Sequence, residues 1–239
     1  MLKTRGIIFK LTRYRESSLI FDVFTEEAGL QTFIANGVYS KSQQRLAAAL
    51  QPMHLIELVA YFKEHQEMHR FKELSRWLPY QRIPYDIRRT AIGTFMLEIS
   101  RKAIRTQQVN APLFSFVETS FRHLDEVSKL HPDQHLKYMV DLSTYLGFQP
   151  NPNHSTSQPC FDLANGMFVP HQDLANEYVL SPESSTVLSK MLNPATHPME
   201  TLHLAERRQL LQQLILYYQL HIEHFGKIKS IDVFRDILE

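Results

Sequence analysis

The 239-residue chain has one cysteine, Cys160, and seven glycines that nowhere cluster. A single thiol excludes an intramolecular disulfide and fits a reducing compartment. The scattered glycines leave no G-x-x-x-x-G-K-S/T and no G-x-G-x-x-G, so no standard loop cradles a phosphate, and no G-x-S-x-G nucleophile elbow is present. No apolar run approaches the ~20 residues of a membrane helix. The N-terminus lacks the apolar core and small-residue cleavage site of a secretory signal. The expectation is a cytoplasmic protein with no catalytic site, no cofactor and no membrane association.

Metal chemistry finds little support. His65 and His69, and His131 and His135, are four apart, and His221 and His224 three apart. A closed zinc site needs four ligands at workable spacing. In His65-Gln66-Glu67-Met68-His69 the glutamate is misplaced for H-E-x-x-H, and His131 precedes Pro132. These histidines are expected at the surface, Cys160 as a small buried apolar residue, and no residue is assigned to a metal.

What is present is a globular composition, 44% hydrophobic and 21% charged, enough for a sizeable core. The net charge of +1 hides an asymmetry. Residues 1–110 carry seventeen Lys/Arg against ten Asp/Glu, and residues 111–239 nine against fifteen. The basic front is the natural partner for a polyanion. From Val38 to Arg45 the chain has hydroxyl, amide and basic side chains and no acid.

The first 80 residues read as β. Strands are expected at Arg5–Leu11, Leu19–Phe24, Leu30–Ala35, Leu55–Phe62 and Met68–Trp77, separated by polar clusters. A helical turn or two, Leu46–Leu50, falls between the third and fourth. This predicts an OB-fold β-barrel over 1–80. From 81 to 239 the period becomes helical, giving an α+β chain with an all-helical C-terminal domain. Asp86 starts a helix to about Arg105, with Ile92, Phe95, Ile99 and Ala103 on its buried face. Further helices are expected at Pro112–Leu130, Asp133–Leu146 (stopped by Gly147), Ser184–Leu192, Glu200–His224 and Ile231–Leu238. A hairpin at about 160–170 turns at Asn165-Gly166.

The cations suggest a nucleic-acid surface. Lys3, Arg5, Lys10, Arg13 and Arg15 lie on or beside the first strand, and Lys41 and Arg45 in the following loop. Arg70, Lys72 and Arg76 alternate on the last strand, which a period of two places on one sheet face. Tyr14, Phe33 and Tyr39 lie near them in sequence; aromatic rings stack on unpaired bases while cations track phosphates. On charge alone a merely solvated sheet face fits equally well. Arg101, Lys102 and Arg105 complement the dipole of the first long helix.

Gly6-Ile7-Ile8, Tyr14-x-Glu16-x-Ser18-x-Ile20, Phe24-Thr25 with Gly29, Ala35-x-Gly37, Lys41-Ser42, Leu50-Gln51-Pro52 and Leu55-x-Glu57-Leu58 follow one another in an order that resembles the RecO recombination-mediator family. Gly147-Phe148, Cys160-Phe161-Asp162-Leu163 and Gly166-x-Phe168 resemble it more loosely. The resemblance implies an N-terminal OB fold, a helical C-terminal domain and non-enzymatic binding of single- and double-stranded DNA. It further implies contact with RecR and with the single-stranded-DNA-binding protein, indirect action on RecA, strand annealing in some members, and a place at the bacterial nucleoid. On that basis the DNA-binding set is Lys3, Arg5, Lys10, Arg13, Arg15, Tyr39, Lys41, Arg45, Arg70, Lys72 and Arg76. Arg101, Lys102 and Arg105 are candidate rims for the acidic, aromatic-ended tail of the single-stranded-DNA-binding protein. Many members carry a four-cysteine zinc module where this chain has Cys160 alone. The hairpin is therefore expected to fold without metal, packed through Phe161, Met167 and Phe168. An OB-fold RNA-binding module and a metal-dependent hydrolase remain the alternative readings.

Overall fold

The computed structural model describes residues 1–40, 43–63, 66–170, 176–193 and 201–232. They form two compact units, Met1–Ser128 and Lys129–Glu239.

The first unit begins with β1 (Leu2–Tyr14), β2 (Ser18–Thr25), β3 (Gly29–Ala35), α1 (Gln44–Ala49), β4 (Leu55–Tyr61) and β5 (His69–Leu78). The strands close into a barrel in the order β1-β2-β3-β5-β4, the OB-type arrangement that the strand pattern predicted. Alternation puts Leu19, Phe21 and Val23 of β2 and Phe33 and Ala35 of β3 inside, with Ile8, Ile56, Leu58 and Ala60. Phe21 stacks on Phe33 at 5.6 Å and meets Phe71 edge-on at 5.7 Å. Gly6 makes room for this core: a Cβ there would lie 2.3 Å from Val23 Cγ1. The β2–β3 turn rests on Gly29, at φ +66° with the backbone of Gln107 and Gln108 against it. Thr25 Oγ1 donates to the Gly29 carbonyl at 2.7 Å and accepts from the Ala28 N–H.

The antiparallel ladders run along most of their strands with single-residue bulges, but the seam that closes the barrel is short. β3 and β5 run parallel and pair only at Phe33↔His69 and Ile34↔Arg70. α1 fills the gap, with Leu46 and Ala47 packed on the core beside Phe71 and Leu74.

Beyond the barrel a 3-10 turn (Ile83–Tyr85) leads into α2 (Ile87–Ala103) and α3 (Ala111–Glu126). Asp86 caps α2 as expected, accepting from the N–H groups of Arg88 and Arg89, and Ile92, Phe95 and Ile99 are buried. α3 is capped by Asn110, which accepts from Leu113 N–H at 3.0 Å. Two buried charges tie these pieces together. Asp125, near the end of α3, accepts from the backbone N–H of Gln81, Arg82 and Ile83, each at 2.8 Å. Arg89, 4% exposed, donates to the carbonyls of Leu124 and Val127 that end α3.

The second unit contains α4 (Gln134–Leu146), β6 (Cys160–Asp162), β7 (Met167–Val169), α5 (Pro182–Leu192) and α6 (Leu204–His221). α4 ends at Gly147 in the left-handed region, φ +85°, as its sequence predicts. The β6–β7 hairpin pairs Asp162 with Met167, so its loop has four residues rather than a two-residue Asn165-Gly166 turn. Asp162 Oδ1 accepts from the N–H of Ala164 and Asn165, which makes the wider loop. Phe161 and Phe168 pack together at 4.9 Å, whereas Met167 is 41% exposed because the strand alternation turns it outward. α6 docks through Tyr218, whose hydroxyl donates to the Met139 carbonyl at 2.7 Å. Buried Asp133 accepts from Arg207 Nε at 2.5 Å and Leu202 N–H at 2.8 Å. The helix expected at Ile231–Leu238 begins in the described residues, and 233–238 lie outside them. Among the described residues no helix is long and apolar enough to cross a membrane.

Asp125→Ala leaves three amides of the segment after the barrel without their acceptor. The variant is expected to lose about 3 kcal/mol of unfolding free energy, measured by urea denaturation. A loss within 0.5 kcal/mol, about that of an ordinary surface change, refutes the role.

Candidate nucleic-acid interface

Register decides which cations share a surface. Tracing partners across the outer face of the barrel gives one continuous row: Thr12 of β1, Ile20 of β2, Ile34 of β3, Arg70 of β5 and Tyr61 of β4. Lys10, Asp22 and Thr32 form the row beside it, with Thr32 Oγ1 donating to Asp22 Oδ1 at 2.8 Å. Ile20 and Ile34 are half-buried, an apolar floor, and Lys10, Arg70 and Tyr61 stand exposed around it.

The β1–β2 tip rises at one end of this face. The turn starts at Arg15, at φ 57°, and Arg15 lays its guanidinium 5.3 Å from the Tyr14 ring. Arg13 sits 5.5 Å from the Tyr39 ring, and Tyr39 is 56% exposed. The loop after β3 is held against the tip: Val38 N–H donates to the Ser17 carbonyl at 2.9 Å and Ser18 Oγ to Asn36 Oδ1 at 3.0 Å. The structure thus places Lys10, Arg70 and Tyr14 on this face with Arg15 at its tip, whereas Arg13 pairs with Leu19 on the core-facing side of the strand and meets Tyr39 there, at the open end of the tip. The set omitted Tyr61. Its signal was its place at the end of a strand whose alternate residues, Leu58 and Ala60, face the core.

A second group lies elsewhere. Lys3, Arg45, Lys72 and Arg76 surround a cleft of about 930 Å³ beside α1, with Glu57 and Glu73 in its wall. Arg70, Lys72 and Arg76 do not share one face. The ladder pairs Val59 with Glu73 and Ala60 with Phe71, leaving Lys72 as a bulge residue; beyond it the phase reverses and Arg76 pairs with fully buried Ile56.

Arg5 is committed inside its own unit. Its Nε and Nη2 donate to Glu26 at 2.8 and 2.5 Å, and Nη1 lies 3.5 Å from Glu118 of α3. The guanidinium also stacks 4.6 Å from Trp77. Beside it Phe9 packs on Phe24 and Phe24 on Phe114 of α3, at 5.5 and 5.7 Å. This part of the outer face is therefore interior. The Arg5 hydrogen bonds hold the Glu26 carboxyl below its usual range.

The remaining expected residues have other settings. Arg101 and Lys102 occupy the last turn of α2, and Arg105 Nε donates to the Lys102 carbonyl at 2.9 Å. Lys41 and His65 lie outside the described residues. His69 and His135, expected at the surface, are 1% and 0% exposed. His69 packs between Phe62 and Phe33 with Nε2 on Gln31 Oε1 at 3.2 Å, and burial pushes His135 down to about 3. Cys160 is buried, and among the described residues no three of His, Cys, Asp and Glu gather as a metal cluster. The residues of the β6–β7 hairpin do not fit a four-thiolate zinc module.

Comparison with known proteins agrees along the whole chain. Residues 1–77 match the family model described as recombination protein O N terminal, and residues 84–230 the one described as recombination protein O C terminal. The chain is 30% identical over 236 residues to the DNA repair protein RecO of Phocaeicola vulgatus, covering 98% of each chain. It is 31% identical over 240 residues to that of Flavobacterium psychrophilum (99% of this chain, 98% of the relative). Over 241 residues it is 32% identical to that of Christiangramia forsetii, with 99% of each chain covered.

Because the folded Glu26 carboxyl titrates below its unfolded value, the Arg5–Glu26 pair stabilises fully at neutral pH. That contribution fades as pH falls through the ordinary carboxylate value of 4.5 toward the lower folded one. Arg5→Met is expected to cost on the order of 1 kcal/mol at pH 7 for this partly exposed pair. The gap to the parent should narrow on acidification; a gap independent of pH between 7 and about 3 contradicts the ion pair as its source.

Proposed function

The chain belongs to the recombination protein O family, and from that premise we propose that it is a DNA-repair protein, a non-enzymatic recombination mediator. It binds single- and double-stranded DNA and, with RecR and the single-stranded-DNA-binding protein, promotes loading of RecA, with strand annealing as a further activity. Its place is the bacterial cytoplasm, at the nucleoid. Residues 1–80 are the DNA-binding domain, and the acidic helical domain, 81–239, serves protein partners. Arg101, Lys102 and Arg105 are proposed as the rim that meets the acidic tail of the single-stranded-DNA-binding protein.

The observation that carries this reading is the gathering of Lys10, Arg70 and Tyr61 around the Ile20–Ile34 floor, with Tyr14, Arg15 and the Arg13–Tyr39 pair at the adjoining β1–β2 tip. The cations neutralise successive phosphates. The tyrosines offer faces to unpaired bases, and stacking of this kind is tolerant of sequence because every base has a π-face. Ion-paired Arg5 takes no phosphate. Lys3, Arg45, Lys72 and Arg76, around the separate cleft, are not part of the proposed path.

Four phosphate contacts on a single strand give a slope of log K against log salt of about −3. Arg13→Ala/Arg70→Ala should reduce that slope by about 1.4, and Tyr39→Ala should weaken binding by about 1–3 kcal/mol with the slope kept. Titration of a fluorescent single strand at several salt concentrations measures both. An unchanged slope in the double variant rejects this face, and clear preference for a matched RNA strand rejects the repair reading.

A further inference from the structure

β5 carries an open edge. Its seam with β3 ends at Arg70, and from Phe71 to Leu78 its ladder partner among the described residues is β4 alone. No other backbone hydrogen bond among those residues reaches this stretch. α1 covers the inner side through Leu46 and Ala47, packed with Phe71 and Leu74, but a helix flank supplies no strand ladder. The 930 Å³ cleft runs over this edge, between α1 and β5. Half-buried Leu46, Val59, Phe71 and Leu74 give it an apolar lining, while Lys72, Glu73, Ser75 and Arg76 stand exposed along the strand.

An unpaired strand edge is a template for another strand, and the charges beside it select which one. With Lys72 and Glu73 paired at 3.4 Å, Lys3, Arg45 and Arg76 still outnumber Glu57. A second copy pairing antiparallel through its own β5 would set Lys72 and Arg76 against the same cations, which is destabilising. A nucleic-acid strand could answer the charge, but it has no peptide groups to complete the ladder. Phe71 is half-buried and Trp77 lies under Arg5, so neither ring stands free for a base.

We propose that the β5 edge and the α1 cleft take an extended acidic segment of a partner protein, which adds to the barrel as a strand. Its peptide groups pair along Phe71–Arg76, its apolar side chains enter the cleft, and its carboxylates meet Arg45, Lys72 and Arg76. This site is separate from the proposed DNA path.

The test uses the full chain and a fluorescent eight-residue peptide alternating Glu and Val, followed by anisotropy. Three controls are expected to lose about tenfold or more in affinity, the equivalent of one good ladder or charge contact. They are the Lys/Val peptide, a Glu/Val peptide N-methylated at alternate residues, and Lys72→Glu/Arg76→Glu with the parent peptide. Arg45→Glu, on exposed α1, repeats the last test without touching the barrel. Amide exchange should slow within Phe71–Arg76 when peptide is added. Affinity of the variants for single-stranded DNA should stay within about twofold at 0.15 M salt, where exposed charges beyond ~8 Å are screened. Absent binding of the Glu/Val peptide overturns the proposal, as does equal binding of the N-methylated one. Loss of DNA affinity in step with peptide affinity makes the cleft a nucleic-acid path instead. Competition by self-association makes it a contact between copies.

Discussion

The barrel depends on how it closes. A five-stranded sheet of this order must join β3 to β5 in parallel, and here that seam is two residue pairs long. Whatever the ladder does not close must be filled by side chains. Phe62, His69 and Phe33 stack across one side of the gap, and α1 plugs the other. α1 has six residues and no side-chain cap, far too short to be helical on its own. It persists because its apolar residues complete the core. The short seam is thus the origin of the interior packing of Leu46 and Leu74, of the cleft, and of the unpaired stretch of β5.

The cations of the first unit differ through the acids and rings that reach them. Arg5 and Arg13 lie on the same strand. Arg5 meets two carboxylates and the Trp77 ring in a place roofed by α3; Arg13 meets one tyrosine face at an exposed tip. A guanidinium already paired gives little to a phosphate, since exchanging one anion for another gains only their difference. Counting basic residues overstates the charge available to a ligand, and the two separate clusters show where it remains.

Much of this was legible in the sequence. The five strands, the helix between β3 and β4, the Asp86 cap and the Gly147 stop all have local signatures, namely alternation, a capping carboxylate and a left-handed glycine. The bulges have none. Lys72 reads as one more exposed strand residue, yet it reverses the phase of Glu73 to Arg76, and Arg76 faces the opposite way from the expectation. Arg89 and Asp125 were equally silent. A buried arginine and a buried aspartate near helix ends look like surface charges until the chain brings carbonyls and amides to them. Tyr61 was legible only in part: strand alternation turns it outward, but the row it completes across five strands exists only once register is set, and no window of sequence contains it.

Asp125 and Glu118 also bear on how the chain can be divided. The two family segments part between residues 77 and 84, while the compact units part after Ser128. The line of descent and the line of physical self-sufficiency fall some two helices apart. A graft cut at the family boundary would carry Phe24 away without Phe114 of α3, which packs on it, and Arg5 without one of its two acids. A portable barrel in this protein includes α2 and α3, so exchanging the binding module between relatives amounts to transplanting the first 128 residues.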